Sequence, residues 1–137
     1  MDLKRIIYSS QPFGYDDSTL AGILLDARHC NARDDITGAL VCRRDIYLQF
    51  LEGPPAQIDA TLQRIKRDDR HVSVTLRLSQ NVSERMFGAW RMLHDPAQSC
   101  IWTEEEIDGG ALDRASEADF RTMFARLSRQ ATATLGE

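Results

Sequence analysis

The stretch "IYLQFLEGPP", residues 46–55, constrains this chain more than any other. Ile46, Tyr47, Leu48, Phe50 and Leu51 make a β-favouring apolar run. Gly53-Pro54-Pro55 stops that run and starts a helix, in whose first turn proline is tolerated. The preceding "ITGALVCR" reads as a second strand, joined through the short polar turn Arg43-Arg44-Asp45, so the two form a hairpin. Gln49 sits in the middle of the apolar run. Its amide has two N–H donors and a two-lone-pair oxygen, and leaving them unpaired in a core costs about 1–3 kcal/mol. Whatever the chain folds into must supply Gln49 with partners.

The remaining elements follow from periodicity. "LKRIIYSS" is β-like, and "QPFGYDD" is a loop after which Asp17 or Ser18 caps a helix. Leu20, Ile23, Leu24 and Ala27 form one stripe on that helix, which lasts to about Asn31. A second helix carries Ile58, Leu62 and Ile65 and ends near Asp69. "VSVTLRLS" alternates Val72, Val74, Leu76 and Leu78 with polar residues, a half-buried strand, and a last strand lies around Trp90 to Leu93. The order β-α-β-β-α-β-β predicts an α+β, ferredoxin-like sheet with two helices on one face. The other face needs a cover, and the tail offers one. Ser116 with Asp119 resembles a capping box, and Phe120, Met123, Phe124 and Leu127 follow at helical spacing, a core-covering or dimer-forming helix.

Composition narrows the function. At 137 residues, 42% hydrophobic and 28% charged, the chain reads as one ordinary globular unit. No apolar run nears the length of a membrane span, and the N-terminus reads as a strand, not a signal peptide. Three widely spaced cysteines, Cys30, Cys42 and Cys100, suggest reduced thiols in a cytoplasm. The net charge of −4 is uneven: residues 1–94 hold 13 Lys+Arg against 12 Asp+Glu, and residues 95–137 hold 4 against 9. Nucleic-acid binding needs a dominant basic face, which this balance does not provide.

Catalysis has little support. His29, His71 and His94 are far apart, and no Cys/His/carboxylate set has metal-ligand spacing. His29 and Cys30 are adjacent on a helix and so do not face each other. The usual phosphate loops are absent. Polar residues in apolar settings say more. Asn31 lies on the apolar side of its helix, as a C-terminal cap or as a ligand contact. Tyr8 could be an ordinary core tyrosine. Yet Tyr8 and Gln49 belong to strands that neighbour each other at the centre of a split βαβ, so they should sit side by side beneath the two helices, with Gln49 bonded to Tyr8. "RIKRDDR" gathers Arg64, Lys66, Arg67 and Arg70 beside Asp68 and Asp69, either a solvated charged face or a phosphate clamp.

These residues together resemble the BLUF domains, blue-light sensors that use FAD. The matching pieces are "RIIYSS", the helix closing on "HCNARDDITGAL", "YLQFLEG", "IKRDDRH" and "FGAWRML", spanning residues 1 to about 95. The resemblance implies a flavin-binding photosensor domain over 1–95 and a C-terminal helical extension over 96–137 that packs on the sheet. It implies an isoalloxazine ring between the helices, flanked by Ile23 and Ile65. Asn31 would bond the pyrimidine edge, and Gln49 the N5/C4-carbonyl edge while touching Tyr8. Lys66, Asp68 and Arg70 would serve the ligand's distal part. Trp90 and Met92 would occupy fifth-strand positions that compete for the place beside the glutamine. Cys30 is a departure, standing where some members carry His or Asn.

The implied action is a switch without turnover. Light drives transient electron and proton transfer from the tyrosine, the glutamine rotates or tautomerises, and the absorption moves to the red. The same resemblance implies a cytoplasmic, non-enzymatic homodimer that signals to a separate partner protein, with neither nucleic acid nor membrane involved. The alternative from the residues is a small ferredoxin-like hydrolase of the acylphosphatase kind, with an Arg/Asn pair on a phosphate. That alternative leaves Gln49 unexplained.

Overall fold

The computed structural model describes residues 2–12, 17–43, 46–67, 71–88, 90–95 and 102–135. Strands β1 (Leu3–Pro12), β2 (Thr37–Arg43), β3 (Ile46–Gly53), β4 (His71–Val82) and β5 (Leu93–Asp95) form one sheet in the order β4-β1-β3-β2-β5. Helices α1 (Asp17–Asp34) and α2 (Pro55–Lys66) join β1 to β2 and β3 to β4. The pairs β1/β3, β1/β4 and β2/β3 are antiparallel, and β2/β5 is parallel. This is the expected ferredoxin-like α+β arrangement with an added fifth strand. Three tail helices follow, α3 (Glu104–Asp108), α4 (Ala111–Arg114) and α5 (Glu117–Leu135).

Alternation along each strand divides the core in two. Ile6, Tyr8, Leu40, Cys42, Tyr47 and Leu51 face α1 and α2, meeting Leu20, Ile23, Leu24, Ile58 and Leu62. Ile7, Ala39, Val41, Ile46, Leu48 and Phe50 face the tail, meeting Phe120, Met123, Phe124 and Leu127 of α5. Phe50 stacks obliquely on Phe124 with centroids 5.3 Å apart and meets Phe87 edge-on at 4.9 Å. The start of α5 is capped as expected: Ser116 Oγ accepts from Asp119 N, and Ser116 N donates to Asp119 Oδ2.

Local chemistry explains where the sequence boundaries shift. α1 continues three residues past Asn31, because Asp35 takes the left-handed conformation (φ 58°) that ends the helix. Ile36 N then donates to Asn31 O at 2.9 Å, so the cap belongs to Asp35 and the Asn31 side chain is released for other work. α2 ends at Lys66, short of Asp69. Gly38 lets β2 approach β3 closely, since a Cβ there would run into the Phe50 carbonyl.

The single apolar face expected for β4 is corrected. Ile7 pairs with Leu78 but Tyr8 pairs with Leu76, a bulge that inserts Arg77. Leu78 therefore joins the tail-side core, Val74 joins the helix side, and Leu76 remains 43% exposed. The last strand also moves: β5 begins at Leu93, where the sequence expectation ended it, and residues 90–92 form an irregular lead-in.

A buried carboxylate fastens the loop before that lead-in to the sheet. Glu52, at the end of β3, is fully buried and accepts from Arg5 Nε (2.7 Å), Met86 N (2.7 Å) and Phe87 N (3.3 Å). Arg5 lies over the Phe50 ring at 5.3 Å. Glu52→Ala would strand a largely buried guanidinium and two amides, so it should lower unfolding stability by about 3–5 kcal/mol. Chemical denaturation checks this, and a loss below about 1 kcal/mol would contradict the assigned role of the carboxylate.

Candidate functional site

Between α1 and α2, above the helix-side face of the sheet, lies a cleft of about 200 Å³. Ile23, Ala27, Cys30 and Asn31 of α1 form one wall, with Asp26 and His29 beside them. Thr61, Arg64 and Ile65 of α2 form the other, and Gln49 and Leu51 of β3 form the floor. The volume is below the roughly 300–1,000 Å³ that encloses a drug-sized ligand. A larger occupant would insert one planar part and leave the rest outside.

The floor is where the sheet register matters. Tyr8 lies directly opposite Gln49 across the β1/β3 pair. Tyr8 is wholly buried beside the cleft floor, and Gln49 is 3% exposed. The expected side-chain bond between Gln49 and the Tyr8 hydroxyl is not formed. Gln49 Nε2 donates to Met92 Sδ at 3.7 Å, a weak partner, and Gln49 Oε1 has no hydrogen-bond partner among the described residues. A buried amide with its oxygen unpaired is suited to a polar ligand atom or to reorientation.

Two residues of α1 hold the segment that presents Met92. Asn31 Nδ2 donates to Arg91 O at 2.6 Å, and Arg28 Nε and Nη2 both donate to Met92 O at 3.2 Å. Arg28 sits one turn before Asn31, a spacing visible in sequence, but its partner is 64 residues away and was not. Near the end of α1, Arg33 hydrogen-bonds Asp34 and holds its carboxyl below the ordinary range, against the opposing effect of burial. Arg64 of the opposite wall, 4.0 Å away, acts in the same direction.

The expected site residues are thus only partly gathered. Ile23, Asn31, Gln49 and Ile65 line the cleft, Tyr8 lies beside its floor, and Met92 touches Gln49. Lys66 is exposed and is not part of the lining, whereas Arg64 is. Asp68 and Arg70 lie outside the described residues. Of the two residues expected to compete for the place beside the glutamine, Met92 touches Gln49, and Trp90 packs edge-on to Phe87 (6.3 Å) in the tail-side core, across the sheet from Gln49. Two positions apart on a regular strand they would share a face, but the irregular lead-in sends Trp90 and Met92 to opposite sides. Asp26, His29 and Thr61 are lining residues that the sequence reading did not assign to a ligand, whereas Arg64 was already a candidate for a phosphate clamp and Cys30 a departure from the family pattern.

A ferredoxin-like sheet with a two-helix cleft, Gln49 on its floor and the buried Tyr8 beside that floor, defines a small α+β domain with a polar-floored cleft. The sequence pattern of the family described as "BLUF: Sensors of blue-light using FAD" matches residues 3–93, and the chain belongs to that family. Photoactivated adenylate cyclase subunit beta of Euglena gracilis is 34% identical over 85 residues, 62% of this chain and 10% of that protein. The chain thus spans about a tenth of that relative's length. A solved structure of BlrB, described as a BLUF protein in its dark state, has a TM-score of 0.78 at 20% identity, covering 94% of this chain and 97% of that one. Klebsiella pneumoniae BlrP1, described with FMN and cyclic diGMP, has a TM-score of 0.66 at 23% identity, covering 90% of this chain and 34% of that one. At these identities the structural likeness speaks for the fold.

The family is one of flavin-using photosensors, and the cleft fits a flavin: apolar walls from Ile23 and Ile65, with an unpaired buried amide oxygen on the floor. Among the described residues, no helix is long and apolar enough to cross a membrane. Cys30 is half-buried on the cleft wall and Cys42 is fully buried. A small alkylating reagent should therefore modify Cys30 faster than Cys42, and a ligand in the cleft should protect Cys30. Peptide mass mapping checks this, and equal rates at the two thiols would contradict an open cleft.

Proposed function

We propose that the chain is a blue-light photoreceptor that binds FAD non-covalently between α1 and α2 and switches through Tyr8 and Gln49. The observation that carries the reading is Gln49 itself, in register with Tyr8, weakly held by Met92, and with its oxygen unpaired beside the cleft. Ile23 and Ile65 would sandwich the ring, and Asn31 and Gln49 would contact its polar edges. Lys66, Asp68 and Arg70 would serve the ribityl and phosphate part outside. Bound flavin would supply blue absorption and an acceptor for one electron when excited.

The protein's part is proton and hydrogen-bond control. Tyr8 would give up an electron and its hydroxyl proton on excitation and recover both, so that no net turnover occurs. Gln49 would rotate or tautomerise, exchanging which end of the amide meets the ligand. The bond it surrenders is the N–H···S contact to Met92, weaker than an N–H···O bond, so the barrier set by the protein is small. A rearranged buried bond is worth around 1 kcal/mol, enough to bias a two-state element. Met92, held by Arg28, would pass the change to β5. Trp90 would answer from the other face, toward α5. The output would be contact with a separate partner protein, from a cytoplasmic homodimer without catalytic activity of its own.

The test is the visible spectrum of the purified chain in darkness and straight after blue illumination. A flavin spectrum that moves slightly to the red and recovers in the dark is expected. Bleaching would instead indicate photoreduction and overturn the switch. Tyr8→Phe and Gln49→Leu should each retain bound flavin and lose the shift. A normal photocycle in either variant would remove that residue from the mechanism.

A further inference from the structure

Thr61 is out of keeping with its surroundings. Ile58, Thr61, Leu62 and Ile65 share one face of α2; Ile58 and Leu62 are apolar core residues, and Ile65 is half-buried against them. Thr61 is 2% exposed, so packing alone would be served as well by valine. A threonine inside a helix ordinarily bonds its hydroxyl to the carbonyl four residues earlier. Thr61 Oγ1 does not: it is buried and has no hydrogen-bond partner among the described residues. It lines the same cleft as Gln49, whose Oε1 is unpaired in the same way.

Two residues with an unpaired buried polar atom, Gln49 on the floor and Thr61 on the α2 wall, thus line one cavity. An orphaned buried polar atom is costly, and most such atoms in folded proteins have partners. Gln49 Oε1 is an acceptor only, whereas a threonine hydroxyl both donates and accepts. Its β-branched side chain has only two favoured χ1 rotamers in a helix, so few hydroxyl positions compete when a ligand arrives.

We propose that Thr61 Oγ1 is a ligand-contacting hydroxyl, the polar anchor contributed by α2, which hydrogen-bonds the flavin head of the bound ligand. The proposal rests on the flavin reading above and adds a contact on the wall facing Asn31. It also accounts for a polar residue in the apolar stripe of α2. Because Thr61 sits inside the cleft, its bond goes to the part of the ligand shared by riboflavin and FAD, not to the adenine end.

The experiment compares the full chain with Thr61→Val, which keeps the shape and removes the hydroxyl, and with Thr61→Ser, which keeps the hydroxyl. Release of FAD and of riboflavin on dilution is followed by the fluorescence of the freed ligand, and thermal midpoints are recorded with and without ligand. Thr61→Val should weaken both ligands by the same factor, roughly 3- to 10-fold for one lost hydrogen bond. Its unliganded midpoint should be equal to or above that of the wild type, since a methyl replaces an unpaired hydroxyl. Thr61→Ser should restore binding to near the wild-type value. Unchanged release in Thr61→Val, failure of Ser to restore binding, or an unliganded midpoint lowered as far as the liganded one would each overturn the proposal. A wild-type chain that takes up neither ligand would instead overturn the flavin reading, and the Thr61 contact with it.

Discussion

All eight residues of β3 are buried, and the rest of the structure is arranged around that fact. A strand buried on both faces needs neighbours on both edges, which β1 and β2 supply, and a layer above and below. α1 and α2 provide one layer and α5 the other. Gln49 is therefore a polar side chain in the middle of a buried strand, reached from outside only through the cleft between the helices. Its demands can be met only by side chains on the helix face, by Met92, or by a molecule entering between the helices. The position of the cleft follows from the burial of the strand.

The same strand ends in the second constraint. Glu52 at its terminus is a buried charge, tolerable only because Arg5 and two backbone amides surround its oxygens. Those amides belong to Met86 and Phe87, and Ser128 Oγ of α5 donates to Met86 O at 2.8 Å. One carboxylate thus ties β3 to the loop before Trp90, and one hydroxyl ties that loop to the tail helix. The polar floor of the cleft and the tail cover are linked through four residues of one strand.

The sequence carries the element order, the two-helix face, the capping box before α5 and the Tyr8–Gln49 register, because each depends on local periodicity or on a single topological rule. It does not carry the bulge at Arg77, whose cause is nonlocal: Arg77 reaches Ser9 Oγ at 2.9 Å and Asp113 at 2.8 Å, on β1 and α4. It does not place Trp90 either. "WRML" reads as a strand by propensity, and only Gly38 N bonding Trp90 O at 3.1 Å, ahead of the regular β2/β5 ladder, shows how the chain enters the sheet. Arg28 and Thr61 are silent in sequence for another reason. An arginine on a helix is usually solvated and a threonine usually bonded to its own helix, so their roles appear only once their partners, or the lack of them, are located.

Residues 90–92 are the natural route between the two cores. Trp90 ends in the tail-side cluster and Met92 in the helix-side cluster, with Arg91 between them. Both backbone carbonyls of the pair Arg91 and Met92 are taken by α1, through Asn31 and Arg28, whereas the Trp90 carbonyl is taken by β2. Packed cores respond to altered contacts by changing between discrete arrangements rather than by deforming smoothly. The proposed change in which group Gln49 presents to Met92 would alter one end of this three-residue segment while its other end packs in the core beneath α5. The proposed coupling would have a physical element to act on, a short irregular segment spanning the sheet, and would need no longer pathway than that.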